Sequence, residues 1–211
     1  VRNPSFPDDP VKLRHLLTHT AGLAWPVNDQ KVPGYFDRFP PDEAPELGAW
    51  LPDFLLSSGS DFSPDVWKDY RSGEKELYSN VGVALLGYLV QVVTGQEFDD
   101  YCREAIFEPL DMSDTSFRYS DLDTDRIATM YSAPGRPLAH YEYRGYPAGE
   151  LKSTVRDLSR FLIAYMNGGR HGNVKILDEA TVENILVMRN STSGLCLIWN
   201  RTLGDWYGHA G

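Results

Sequence analysis

The sequence predicts an α+β chain in which helices and loops come first and strands arrive near the end. Three observations predict it. The run Asn80-Val-Gly-Val-Ala-Leu-Leu-Gly-Tyr-Leu-Val-Gln-Val-Val-Thr94 is apolar enough for a buried helix, and Gly95, which tolerates a left-handed backbone, closes it. Two further helical patterns follow, one opened by Ser153-Thr154-Val155-Arg156-Asp157 and running through Met166 to Asn167-Gly168-Gly169, the other from Asp178 to Met188. Last come two strand-like runs, Leu195-Cys196-Leu197-Ile198-Trp199 and Asp205 to His209, joined by a turn around Leu203-Gly204. This order suits a helical lobe attached to a sheet whose other strands lie elsewhere.

The remaining elements are read in chain order. Residues 1 to 10 hold three prolines and read as an extended connection. Asp9 as N-cap and Pro10 at the first helical position predict a helix that runs to Ala21-Gly22. Residues 24 to 48 hold five prolines and predict a long irregular loop, of a length that usually carries function. A short helix is expected over Ala49 to Leu56 and a loop over Ser57 to Gly73. Phe98 to Ile106 reads as a helix stopped by Pro109, and residues 111 to 150 as turn-rich and aromatic with a few short strands. Residues 1–150 thus form a mainly helical and loop region, and 151–211 helices that return to strands, within one truncated domain.

Composition narrows the function classes. With 42% apolar and 12% aromatic residues, 211 residues can bury one sizeable core. The formal net charge of −10 argues against a nucleic-acid surface, which needs clustered Lys and Arg. No basic amphipathic segment suggests membrane binding, and the longest apolar run, Val81 to Val93, is broken by Gly87, Tyr88 and Gln91. Cys102 and Cys196 lie far apart without CxxC spacing, which predicts two buried thiols and leaves the compartment open. Both ends read as cut or processed: Val1-Arg2-Asn3-Pro4 resembles the middle of a loop.

Four stretches could carry chemistry. His15 and His19 have the i, i+4 spacing of a helical zinc pair, but Leu16 stands where a metalloprotease needs Glu and no third ligand is evident; the imidazoles are expected to bond to nearby backbone, and no metal is expected. Ser72-Gly-Glu-Lys75 matches S-x-x-K formally, yet Gly73 interrupts the helix that would bring the amine to the hydroxyl, which predicts a decoy. Tyr78-Ser79-Asn80 precedes the apolar run. Taken alone, it favours a helix cap; a catalytic edge needs Tyr78 lowered from its ordinary pKa by cations. His209-Ala210-Gly211 ends a strand, where small residues let a substrate backbone pair.

Together these pieces resemble the serine β-lactamase-like superfamily, on its class C β-lactamase, DD-peptidase and esterase side. The matching stretches, in order, are residues 13–23 (LRHLLTHTAGL), Tyr78-Ser79-Asn80 with Leu85-Leu86-Gly87, residues 107–112 (FEPLDM), Pro147-Ala148-Gly149-Glu150-Leu151 with Ser153-Thr154 and Asp157-Leu158, and Gly208-His209-Ala210-Gly211. The resemblance implies a β-lactamase/transpeptidase-like fold, mostly its helical domain plus part of the antiparallel sheet. It casts Tyr78 as base or proton relay and Asn80 as the holder of the substrate amide or ester. His209 becomes the head of an H-x-G third motif, whose Ala210 and Gly211 pair with substrate. His209 in place of Lys leans away from a dedicated β-lactamase.

The same resemblance places the S-x-x-K nucleophile upstream of residues 13–23, so these 211 residues are expected to lack it, and with it the oxyanion donors. The implied function is part of a serine hydrolase that forms an acyl-enzyme on a small-molecule or peptide amide or ester, without metal or cofactor, and is inactive by itself. The alternative is a truncated paralogue used as a binding module. Residues 24 to 73 are expected to set the substrate. Unpaired strand edges are expected to favour self-association.

Overall fold

The segment after Ser79 shows how the chain builds its centre. In a computed structural model, which describes residues 1–24, 34–35, 37–202 and 206–209, the helix over Asn80–Thr94 has the bounds its sequence predicts. Gly95 closes it at φ 74°, a left-handed backbone that glycine adopts without cost. Around this helix, chain order gives α1 (Leu13–Leu17), β1 (Arg38–Phe39), α2 (Leu47–Leu55), then α3 itself, α4 (Phe98–Cys102), β2 (Tyr131–Ala133), β3 (Arg136–Pro137) and β4 (Glu142–Tyr143). There follow α5 (Val155–Met166), β5 (Arg170–His171), β6 (Val174–Lys175), α6 (Glu179–Leu186), β7 (Asn200–Thr202) and β8 (Trp206–Gly208). The strands form four antiparallel two-stranded ladders, β1–β4, β2–β3, β5–β6 and β7–β8.

One core joins α1, α2 and α3. Leu47, Leu51 and Leu55 recur every turn of α2 and are almost fully buried, as are Phe54 and Trp50 beside them. They meet Leu16 of α1 and Val81, Ala84 and Leu85 of α3, and each such side chain contributes roughly 1.5–3 kcal/mol by leaving water. A second core joins Cys102, Phe107, Leu110, Met112 and Phe117 to Ala164 of α5. Phe98 and Tyr146 pack against both. Gly87 lets α3 approach the 3-10 turn Tyr146–Ala148, because a Cβ there would lie 2.5 Å from Pro147 Cγ.

The structure corrects three expected elements. The helix expected from Asp9 to Ala21 shrinks to Leu13–Leu17. Pro10 instead bridges Arg2 in an extended hairpin-like lead-in, and Lys12 is the N-cap, its N–H held by His15 Nδ1 at 3.2 Å. At the other end Thr18 Oγ1 donates to Arg14 O at 2.7 Å, and His19 turns left-handed at φ 50°. The strand expected over Leu195–Trp199 is displaced to Asn200–Thr202, which pairs with Trp206–Gly208. Ile198 adopts φ 66°, a conformation no strand accommodates, and Cys196 N–H turns back to Trp199 O at 2.7 Å.

The helix expected at Phe98–Ile106 is α only to Cys102 and continues as a π-helical stretch Arg103–Phe107. Cys102 and Cys196 are both buried free thiols. Among the described residues no single helix is long and apolar enough to cross a membrane.

Candidate active site

The site grows from the N-terminal end of α3. Ser79 is the helix cap: its Oγ accepts from Gly82 N–H at 3.1 Å and donates to Ala24 O at 3.3 Å. Asn80 is then the first helical residue and is free of capping work. Its Oδ1 is buried and meets no hydrogen-bond donor among the described residues. A buried acceptor in that state is costly, of order 1–3 kcal/mol, unless a ligand supplies the donor.

Tyr78 lies between two histidine rings, 4.5 Å from the His19 centroid and 5.9 Å from that of His209. The His19 contact follows from the left-handed turn after α1. Leu77 N–H donates to His19 O at 2.7 Å, and Ser79 N–H donates to His19 Nδ1 at 3.3 Å. The tautomer is assigned from that bond: Nδ1 accepts, so the neutral ring carries its proton on Nε2, a buried atom without a partner among the described residues. Burial pulls the His19 pKa down to about 4, His209 adds to the effect and Glu76 opposes it. Burial pushes the Tyr78 phenol above its ordinary value. A nearby cation would favour the phenolate that burial disfavours.

His209 is exposed and follows β8. The segment leading into its hairpin is tied to α1 and to Glu76, just before the ledge formed by Tyr78-Ser79-Asn80. Ile198 N–H donates to Leu17 O at 2.9 Å, while Glu76 Oε2 takes bonds from Asn190 Nδ2 at 2.6 Å and Ser193 Oγ at 2.7 Å. Ala210 and Gly211, the expected strand partners of substrate, lie outside the described residues.

Two other candidates separate from the site. His15 and His19 do not share a helical face; both imidazoles accept from backbone N–H groups, of Lys12 and Ser79. No group of three or more His, Cys, Asp or Glu among the described residues is placed to hold a metal ion. Ser72 and Lys75 lie in turn and coil around Gly73 at φ 99°. Ser72 Oγ donates to Ala21 O at 3.0 Å and Lys75 Nζ sits over the Tyr70 ring, so neither is arranged to activate the other.

A family model described as Beta-lactamase matches residues 2–211. The chain belongs to the β-lactamase family. Its solved neighbours include D-amino acid amidase from Ochrobactrum anthropi SV3, complexed with L-phenylalanine, at 26% identity and TM-score 0.60 over 88% of this chain and 48% of that one. A class C β-lactamase aligns at 19% identity and TM-score 0.61, over 90% of this chain and 47% of that one, and shows the fold. Among curated relatives, Beta-lactamase-like protein 2 of Dictyostelium discoideum is 32% identical over 114 residues, 52% of this chain and 20% of that protein. A relative from Escherichia coli K12, named in the D-alanyl-D-alanine carboxypeptidase class, is 26% identical over 168 residues. The chain spans 39% of that relative and about half of the solved ones.

The β-lactamase fold and the serine-hydrolase affiliation read from the motifs both stand. The motif reading named Tyr78, Asn80 and His209, and the structure brings the rings of the first and third to 5.9 Å, with Asn80 two residues on from Tyr78. That reading named His19 only as one of an i, i+4 pair with His15 and missed it as the second ring against Tyr78, because a left-handed turn at a histidine leaves no spacing signal.

Proposed function

We propose that the chain supplies one wall of an acyl-transfer cleft that acts on an amide or ester. The supporting observation is the buried, unpartnered Asn80 Oδ1 beside Tyr78, whose ring meets His209. In this reading Asn80 receives the N–H of a substrate amide, an interaction for which the empty acceptor is already desolvated. Tyr78 relays the proton. Its phenol is raised by burial, and the lysine of an S-x-x-K pair would bring a cation that lowers it. His209 forms the head of the opposite edge, with Ala210 and Gly211 offering backbone to the substrate.

The acyl-accepting serine and its lysine come, in this proposal, from a segment beyond the 211 residues, since Ser72 and Lys75 are held apart by a turn. The resulting hydrolysis attaches the acyl group to the serine oxygen, releases the amine or alcohol with the relayed proton, and returns the acid with water. The similarity to D-amino acid amidase supports an amide among the substrates.

Intact-mass measurement after exposure to a fluorophosphonate and, separately, to a penicillin tests this. The 211-residue chain should stay unlabelled while folded by circular dichroism. A longer product of the same reading frame that includes an S-x-x-K should take one equivalent on that serine. A stoichiometric adduct on Ser72 would overturn the assignment. A longer product that stays unlabelled but binds penicillin would favour the binding-module alternative.

A further inference from the structure

A cavity of about 560 Å³ lies away from the Tyr78 ledge, between the 119–130 segment, the residues around β4 and the stretch 149–154. Its volume is that of a small-molecule site. Tyr119, Tyr141 and Tyr143 give it an aromatic wall, with the last two rings edge to face at 5.3 Å. Glu150 and Lys152 stand together in this lining, their side chains each 13% exposed and Nζ 3.8 Å from Oε2.

The two charges are not equally engaged. Lys152 Nζ donates to Phe117 O at 2.8 Å and rests 3.9 Å from the centroid of Tyr119, so its donors are largely occupied. The Glu150 carboxylate takes one bond from the Tyr143 backbone and a loose contact from Lys152, which leaves acceptor sites open. Asp42 and Glu142 add negative charge behind this pair, and both are felt by Lys152 and by Tyr119. At the mouth, Asp114 and Arg126 cancel each other through two bonds of 2.6 and 3.1 Å. Arg38 lies over Tyr141 at 4.2 Å, so one face of that ring already holds a cation and the other is left for a ligand. Asp123 also lines the cavity, which sets three lining carboxylates, Asp114, Asp123 and Glu150, against Arg126 and Lys152; the field inside is net negative and the walls are aromatic, the combination that selects a desolvated ammonium.

We propose that this cavity binds a primary ammonium carried on an aromatic or aliphatic body, with Glu150 as its ion partner and the three tyrosines as its seat. As a subsite for an amine-bearing amide or ester it rests on the acyl-transfer reading above; as a ligand site it stands without it.

Calorimetric and NMR titrations of the 211-residue chain test the proposal with three probes of one size: phenethylammonium, 2-phenylethanol and 3-phenylpropionate. Phenethylammonium should bind about tenfold more tightly than the alcohol, and the carboxylate most weakly. The backbone amides of Tyr143, Glu150 and Lys152 should shift on titration. Glu150→Gln should bring ammonium and alcohol within about threefold of each other. Equal or tighter binding of 3-phenylpropionate, binding of none of the three, or a preference that survives Glu150→Gln would overturn it. If Glu150→Gln fails to fold, the amide shifts of the unmutated chain decide: shifts outside the cavity reject the site. The readout is binding, so it fails or succeeds independently of acyl-enzyme formation.

Discussion

The Tyr78 ledge and the Glu150 cavity are assembled by opposite means. The ledge is a consecutive tripeptide set on a helix end: Ser79 caps Gly82 three residues on, and α3 carries the rest. The cavity is a meeting of distant segments. Asp42 takes bonds from the N–H groups of Tyr119 and Ser120, Glu142 accepts from Ala44 N–H at 2.9 Å, and Lys152 reaches back to Phe117. The difference teaches where chemistry can be read along a chain. A ledge is spelled in adjacent residues, while a cavity exists only once segments as far apart as Asp114 and Thr154 converge.

The sharpest test of this contrast is the polar network beside the cavity. Asp157 is 2% exposed; its Oδ2 accepts from Asp114 N–H at 2.9 Å and Thr115 Oγ1 at 3.0 Å, and its Oδ1 faces Arg160 at 3.5 Å. Asp157→Ala leaves three donors without their carboxylate and should lower stability by about 3 kcal/mol, read as a shift of the urea midpoint. The amine preference should weaken with it, since Asp114, Ser153 and Thr154 line the cavity. The ring contacts of Tyr78 should persist in NMR spectra of the folded variant. Loss of both together would mean that ledge and cavity form one cooperative unit, and the contrast would fail.

Asp157 also marks the limit of what was legible. The stretch Ser153-Thr154 with Asp157 announced a helix start, and Thr154 Oγ1 does accept from Asp157 N–H at 3.1 Å. That the same carboxylate closes a loop 42 residues upstream was not written in any local spacing. The helices α3, α5 and α6 were readable because apolar period and caps lie within each of them. Leu195–Trp199 misled because its composition is strand-like, while Ile198 takes a left-handed turn that tertiary bonds impose. Tyr78, Asn80 and His209 are named from motif order, whereas the His19 contact with Tyr78 and the Glu150 cavity come only with folding.

His19 provides the next largest effect, and it separates the regions by pH. Its folded pKa of about 4 lies below the ordinary 6.5, mainly through burial, with His209 adding and Glu76 opposing. The sign follows: the unfolded chain takes up a proton as pH falls below 6.5, the folded chain does not until about 4, so stability is lost across that window. The loss should be on the order of 3 kcal/mol. His19→Asn tolerates the left-handed backbone and can still accept from Ser79 N–H, so urea titrations between pH 7 and 4.5 should show a flatter dependence for it. Parallel slopes for the two chains would show that His19 is not held neutral.

The smallest effect is the most informative about function. Ser79 and Asn80 are neighbours, both polar and both at the start of α3, yet the structure employs only one of them. Ser79→Ala removes the acceptor of Gly82 N–H and should cost about 1 kcal/mol. Asn80→Ala removes an acceptor that no described residue uses and places a better helix former at the first position, so stability should hold within about 0.5 kcal/mol or rise. Both values come from urea midpoints at constant slope. A side-chain oxygen that is buried, unpartnered among the described residues and dispensable for stability is one whose partner arrives from outside, which is the behaviour expected of a group that receives a substrate amide. If Asn80→Ala costs as much as Ser79→Ala, the carboxamide is part of the cap, and the acyl-transfer reading loses the observation that supports it.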